Sequence, residues 1–136
     1  SIAPLEIHVA DIDGDGDLDI VSASNEDNTI AWYENDGAAN PSFTAADITT
    51  SADGAWDVHV ADMDMDGDLD IVSASRDDWA IAWYENDDAA TRSWTAADSA
   101  SGVANTELAL DVYVADLDGD GDLDIVSASA KDDAIA

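Results

Sequence analysis

The chain has 136 residues, with 33 Asp and Glu against three Lys and Arg, a formal net charge of -30, and no cysteine. This length fits one domain of about 100 to 200 residues, and the charge excludes nucleic acid and anionic membranes as favourable partners while favouring cations. Disulfides and thiolate metal sites are excluded as well. Because 46% of the residues are apolar, a folded core is expected, provided that something neutralises the acidic groups. No apolar run reaches the roughly 18 residues of a membrane span, so no membrane insertion is expected.

The sequence repeats itself. EIHVADIDGDGDLDIVSAS begins at Glu6 and returns with few changes at Asp57 and Asp111, so the copies are offset by 51 and 54 residues. A second block, TIAWYENDGAANPSFTAAD, begins at Thr29 and returns at Ala80 as AIAWYENDDAATRSWTAAD. The three extra residues fall in the connection before the third copy, as is typical of a surface loop. This periodicity divides one continuous segment into repeats at residues 1–56, 57–110 and 111–136.

Each repeat reads as short strands separated by turns, and no helical period is present. In the first repeat, strands are predicted at residues 7–10, 19–24 and 30–34 and from Phe43 onward. Four antiparallel strands in about 50 residues, repeated in tandem, are typical of a β-propeller blade. The predicted fold is therefore all-β, with two full propeller-type blades of four antiparallel strands and about half of a third.

The third predicted strand places large residues on one face. Ile30 and Trp32 fall on one side, while Ala31 and Tyr33 fall on the other, which lets neighbouring blades pack closely. We interpret the aromatic residues as core between blades. Two and a half blades cannot close a ring of about four to eight blades. The expected partners are therefore further blades, either from the same longer chain or from other copies of it, which would cover exposed sheet edges.

An acidic loop follows the first strand of every repeat. The three loops read DIDGDGDLD from Asp11, DMDMDGDLD from Asp62 and DLDGDGDLD from Asp116. Five carboxylates in nine residues repel one another by roughly 1 kcal/mol or more per close pair, which a bound cation would offset. Hard oxygen ligands favour Ca²⁺ or Mg²⁺, and calcium fits better because it accepts irregular shells of about six to eight oxygens. The sequence thus predicts about three calcium ions, one per loop.

Spacing assigns roles within each loop. Carboxylates at positions one, three, five and nine can turn to a common centre, and glycine at position six permits a sharp turn. Position seven is expected to offer its main-chain carbonyl. The predicted metal residues are Asp11, Asp13, Asp15, Asp17 and Asp19 in the first loop, Asp62, Asp64, Asp66, Asp68 and Asp70 in the second, and Asp116, Asp118, Asp120, Asp122 and Asp124 in the third.

Other loop types fit less well. An EF-hand needs flanking helices and a Glu at position twelve, where these loops have Ser22, Ser73 and Ser127. The nine-residue calcium repeats of β-rolls follow one another directly, whereas these loops recur every 51 to 54 residues. A solvated acidic turn without metal is the remaining alternative.

The combination VADxDGDGDLDIVSAS, followed by IAWYENDG and a strand with Phe and Thr, resembles the FG-GAP/VCBS repeats. Blades of that family build integrin-alpha-like β-propellers in bacterial extracellular proteins. The resemblance implies calcium binding by the aspartates of positions one, three, five and nine, and a secreted or cell-surface role in adhesion, recognition or assembly. Met65 departs from the small residue usual at position four, which bears on the second site's affinity, and the third blade is incomplete.

Three functions follow from this sequence. The first is a non-catalytic, calcium-stabilised extracellular module. The second is a glycan-binding lectin, for which the less regularly placed Trp56, Trp79 and Trp94 are candidate platforms, although edge packing explains them as well. The third is a polysaccharide lyase or hydrolase, which His8 and His59 support poorly because they recur at equivalent positions of different repeats. We expect no enzyme, and the ligand, glycan or protein, stays open.

Overall fold

The computed structural model describes residues 4–88, 93–97, 108–130 and 134–135. The described residues form strands, turns and loops, without a helix. No helix among them is therefore long and apolar enough to cross a bilayer. The strands are β1 (Pro4–Ala10), β2 (Asp19–Ser24), β3 (Thr29–Asn35), β4 (Phe43–Thr49), β5 (Ala55–Ala61), β6 (Asp70–Ser75), β7 (Ala80–Asp88), β8 (Ser93–Ala97), β9 (Ala109–Ala115), β10 (Asp124–Ser129) and β11 (Ala134–Ile135).

The strands make three antiparallel sheets in chain order, β1 to β4, β5 to β8, and β9 to β11. The all-β prediction is confirmed, and the two four-stranded sheets have the form of propeller blades. β1 begins at Pro4, earlier than expected, because Pro4 still pairs with Ser24 beyond a register shift. In the third sheet Ile135 pairs with Ala128, where a third blade strand would start. Most of the longer connection predicted as a surface loop, residues 98–107, lies outside the described residues.

Strand pairing gives each sheet two distinct faces. In the first sheet Val21 lies opposite Trp32 and Ala23 opposite Ile30, so these side chains share one face, here called the forward face. The opposite face, here called the rear face, carries Ile7, Val9, Ile20, Ala31 and Tyr33. The expectation that Ile30 and Trp32 lie opposite Ala31 and Tyr33 is confirmed.

Apolar packing between sheets forms the core. The forward face of each sheet packs on the rear face of the next, and the large side chains buried there contribute roughly 1.5–3 kcal/mol each. Trp32 also meets Trp94 of the second sheet edge-on, with ring centroids 6.3 Å apart. The first cluster includes Ile12, Val21, Ala23, Ile30 and Trp32 from the first repeat and Val58, Val60, Ile71 and Tyr84 from the second. The second cluster joins Val72, Ala74 and Ile81 to Ala109, Val112 and Val114.

The first strands of the three sheets lie side by side, with β5 in contact with both β1 and β9. His8, His59 and Tyr113 occupy equivalent positions there and stack, with ring centroids 5.0 and 4.9 Å apart. Burial lowers the pKa of both histidines. With Asp57 and Asp111, these rings line an open cleft of about 490 Å³.

Candidate metal sites

The acidic loops connect β1 to β2, β5 to β6, and β9 to β10. The residue just before each loop pairs, across the two strands, with the last aspartate of that loop. Ala10 pairs with Asp19, Ala61 with Asp70, and Ala115 with Asp124. The final ladder pair therefore brings the two ends of every loop together and forces the eight residues between the strands into one compact turn.

Within each loop, three carboxylates lie close enough to share an ion. One oxygen from each of the three lies within 4.8 Å of the others. The first two loops contribute positions one, three and five, whereas the third contributes positions one, three and nine. The groups are Asp11, Asp13 and Asp15, then Asp62, Asp64 and Asp66, and finally Asp116, Asp118 and Asp124.

Main-chain amides of the loop hold these carboxylates in place. The amide at position six donates to the position-one carboxylate, from Gly16 to Asp11 at 3.0 Å, and the bond recurs in the other two loops at 3.1 and 3.2 Å. The amide at position five donates to the position-three carboxylate at 3.1 to 3.2 Å in each loop. The amide at position seven donates to position five at 2.8 to 3.0 Å. The three loops thus share one hydrogen-bond pattern, which orients the acidic side chains inward.

Two loop positions require a left-handed backbone. At position six, Gly16, Gly67 and Gly121 have φ of 97°, 103° and 102°, a conformation that L residues rarely adopt. At position four, Gly14 and Gly119 have φ of 71° and 78°, while Met65 holds φ at 61°. Met65 is therefore strained where its two counterparts are not, which gives a physical reason for the small residue expected there.

Position nine has a separate task in the first two loops. Both oxygens of the buried Asp19 accept main-chain hydrogen bonds, from Ile12 at 3.2 Å and from Asn35 at 2.8 Å. Asp70 is bound in the same way, by the amides of Met63 and Asn86. The position-nine carboxylate therefore fastens the loop to the sheet. Each of its oxygens already accepts one hydrogen bond, so only the remaining lone pair of each oxygen is available to an ion.

Asn35 and Asn86 are residues that the sequence reasoning missed. Besides their main-chain donations, their side-chain amides donate to the carbonyl oxygens of Leu18 at 3.0 Å and Leu69 at 3.2 Å. Each Asn thus clamps the last turn of an acidic loop from the end of the third strand. The signal was present in the repeated WYEN block, where an Asn recurs at the same position of the third strand of each full repeat.

Burial and crowding act on the carboxyl groups of the sites. Burial is the largest cause of the raised pKa of Asp13, and the charges of Asp15, Asp19 and Glu34 add to it. Burial also raises the pKa of Asp70. Each of these shifts reflects a cost of keeping negative charge in the loop, which a cation at the same place would reverse.

The donor set fits a hard divalent cation. The Oδ1 atom of Asp11 is buried, and among the described residues it has no hydrogen-bond partner. A buried carboxylate oxygen without a partner is costly unless an ion or water satisfies it. All candidate ligands are oxygens, which suits Ca²⁺ or Mg²⁺ and disfavours softer metals. The side chains at position seven, Asp17, Asp68 and Asp122, lie outside the three groups, and their main-chain role stays a prediction.

The tryptophans singled out for glycan binding have different surroundings. Trp94 packs on Trp32, and the guanidinium of Arg76 lies 4.9 Å from the ring centroid of Trp56. Trp79 is exposed and holds a positive φ of 60°. The structure therefore does not bring these three rings together into one platform.

Comparison with known proteins adds a family assignment. The FG-GAP-like repeat family matches the chain twice, over residues 11–73 and 62–127. Both matches begin at the first aspartate of an acidic loop and continue into the next repeat. No curated protein and no solved structure matches the chain significantly. Because the two matches cover most of its length and the sheets have the form of blades, the chain belongs to the FG-GAP-like repeat family of β-propeller modules.

Proposed function

We propose that this chain is a calcium-binding, extracellular β-propeller module that serves adhesion, recognition or structural assembly and is not an enzyme. The observation that carries the proposal is that an acidic loop with one hydrogen-bond pattern recurs in all three repeats and brings three carboxylates together in each, with position nine in the third loop where the first two have position five. A structural need that is the same in every repeat explains this recurrence better than a single catalytic centre does.

Calcium is favoured over magnesium by the shape of the loops. Magnesium requires a nearly octahedral shell and retains several waters, whereas calcium accepts about six to eight oxygens in irregular arrangements. Positions one, three and five lie in one turn without regular secondary structure, and position nine comes from the adjoining strand. The ion would supply positive charge alone. The residues that would hold it are Asp11, Asp13 and Asp15 in the first loop, Asp62, Asp64 and Asp66 in the second, and Asp116, Asp118 and Asp124 in the third.

Bound calcium would stabilise the folded state because it binds the folded chain and not the unfolded one. An ion present at a hundredfold excess over its dissociation constant stabilises the folded state by about 2.7 kcal/mol per site. Three divalent ions would also reduce the formal charge from -30 to -24. Calcium outside cells reaches concentrations that fill even weak sites of about 10⁻⁴ to 10⁻³ M, which supports a secreted or surface location.

Two observations favour a role without catalysis. The two histidines lie at equivalent positions on neighbouring strands and stack with Tyr113, which is the pattern of a repeated structural contact. The positive side chain Arg76 is engaged with Asp77 at 2.8 Å and with the ring of Trp56, so it supports surface structure. The biological ligand of the module is a glycan or protein at the surface of the assembled sheets.

Calcium titration tests the proposal directly. Isothermal titration calorimetry with elemental analysis should give about three calcium ions per chain. Asp13→Asn should remove the first site and leave two, because it deletes a ligand charge without changing side-chain size. Glu26→Gln is the matched control, since it deletes one charge from an exposed turn and should leave the stoichiometry unchanged. Equal losses in both variants, or a chain that binds no calcium, would contradict the proposal.

A further inference from the structure

Two histidines on neighbouring first strands form a pair that the proposed function does not use. His8 lies on β1 and His59 on β5, and their ring centroids are 5.0 Å apart with the ring planes at 71° to each other. Both side chains are half-buried, and both line the open cleft of about 490 Å³. The pair is therefore formed within this chain and is reached from solvent through the cleft.

The separation of the two rings suits a shared metal ion. Imidazole nitrogen binds zinc at about 2.0–2.1 Å, so two such ligands at angles of about 90–109° place their ring centroids roughly 4.5–5.2 Å apart. The distance between His8 and His59 falls inside that range. The two strands thus hold the rings at the spacing that one ion between them requires.

The two imidazoles are also in the protonation state of a ligand. Burial is the largest cause of the lowered pKa of both, and the charge of His8 lowers the pKa of His59 further. Metals bind neutral imidazole, so few protons compete for these nitrogens at neutral pH. Among the residues that the structure describes, neither ring forms a hydrogen bond. Each ring therefore keeps an acceptor nitrogen that an ion can use.

The ring stack by itself does not require histidine. Tyr113 occupies the equivalent position of the third repeat and stacks on His59, with ring centroids 4.9 Å apart. A phenol ring thus serves the contact between first strands as an imidazole does. What His8 and His59 add to that contact is a pair of nitrogen ligands, and the sequence contains no other histidine.

Carboxylates in the same cleft favour a cation there. Glu6, Asp57 and Asp111 line the cleft together with the two histidines. The negative charge of Glu6 acts on His8, and that of Asp111 acts on His59. These carboxylates would attract a divalent ion placed between the imidazoles and would repel an anionic ligand. None of them belongs to the three carboxylate groups of the acidic loops.

We propose that His8 and His59 together bind one divalent transition metal ion of the class that prefers imidazole, such as Cu²⁺ or Zn²⁺, at a site separate from the acidic loops. Calcium prefers oxygen ligands and does not compete for such a pair. Two protein nitrogens leave the other positions of the ion to water or to a donor atom of a molecule in the cleft. Among these metals, Cu²⁺ binds nitrogen ligands most tightly and is the probe of choice.

Copper titration of the full chain in millimolar calcium, which keeps the acidic loops filled, tests the proposal. We expect one Cu²⁺ per chain, with an electron paramagnetic resonance spectrum that shows two nitrogen ligands. His8→Tyr and His59→Tyr should each weaken copper binding by at least about tenfold, because each keeps the ring that the third repeat uses but leaves the ion a single nitrogen. Tyr113→Phe is the matched control, since it keeps a ring in the same stack and removes no nitrogen, and it should bind copper as the parent does.

The outcomes decide between a metal site and a purely structural stack. A parent spectrum without nitrogen ligands overturns the proposal, whether or not the variants fold. Copper that additional calcium displaces would lie in the acidic loops, and this result also overturns it. An equal loss of affinity in Tyr113→Phe would assign the effect to a disturbed stack and would count against the pair as ligands. Calcium calorimetry on His8→Tyr tests the proposed function independently, because that variant leaves all three acidic loops unchanged.

Discussion

Met65→Gly should stabilise the protein. Met65 holds φ at 61° at a loop position where the other two repeats have glycine. A left-handed conformation costs an L residue roughly 1–2 kcal/mol. Glycine removes that strain but loses about 0.5–1 kcal/mol more backbone entropy on folding. The expected net gain is therefore about 0.5–1 kcal/mol, or an increase in melting temperature of roughly 2–5 °C.

The reciprocal substitution measures the cost of the left-handed backbone conformation by itself. A Cβ atom built at Gly14 meets nothing within 4 Å, so Gly14→Met introduces no collision and should destabilise through φ alone, by about the same amount. Ala38→Gly measures the entropic cost of glycine, since Ala38 lies in an exposed loop and is not among the residues with positive φ. Thermal and urea unfolding, each in calcium and in EDTA, give the free energies of unfolding. A Met65→Gly variant no more stable than Ala38→Gly would refute the strain argument.

Three further perturbations follow from the structure. EDTA should lower the melting temperature by more than about 10 °C and calcium should restore it, since three filled sites each contribute to stability; an unchanged melt would contradict structural metal. The pKa of Asp57 is raised from 3.8 to about 6, first by burial and then through Asp111, so its stabilising contribution is present below pH 3.8 and lost as pH rises through 6. Above pH 7, Asp57→Asn should therefore raise the free energy of unfolding by roughly 1 kcal/mol relative to the parent, after discounting for solvent screening, and near pH 3 the two proteins should be equally stable. An increase in stability that does not depend on pH would show that the proton on Asp57 is not its cause. Asn86→Ala should lower the free energy of unfolding by about 1–2 kcal/mol, because it leaves the carbonyl of Leu69 without its donor. Asn35→Ala, at the more exposed first loop, should lower it by less than about 1 kcal/mol. Equal losses of stability in urea unfolding would argue against the clamp.

Much of the fold was readable from local patterns. The repeated DIVSAS, which lies between the acidic loop and a polar turn, gave the second strand of each repeat its bounds, and Ile30 with Trp32 correctly predicted a face that packs on the next sheet. The acidic loops were located in full because their spacing is a property of nine consecutive residues. Such features depend on neighbours in sequence, which is the information a single chain carries most directly.

Contacts between repeats were less accessible to sequence reasoning. Asp57 accepts a hydrogen bond from the amide of Val112 at 2.7 Å, across 55 positions of the chain, and this contact between repeats opposes the rise in pKa that burial and Asp111 cause. Likewise, Ile12 and Leu117 occupy equivalent positions in their repeats, yet Ile12 is buried and Leu117 is exposed, because only Ile12 has a sheet packed against it. The sequence shows the residue type at a position, whereas the burial of that residue depends on which sheet packs against it.

Among the residues that the structure describes, the strained positions are concentrated in the second repeat. Beside Met65, the left-handed residues Trp79 and Leu108 take the places of Asn28 and Gly54 in the first repeat, which suit that conformation better. At roughly 1–2 kcal/mol each, three such residues cost several kcal/mol. The second sheet is buried on both faces, and the side chains in its two interfaces offset a cost of this size. The first sheet is covered on one face and has glycine or asparagine at the same positions, so local strain is placed where packing between repeats is greatest.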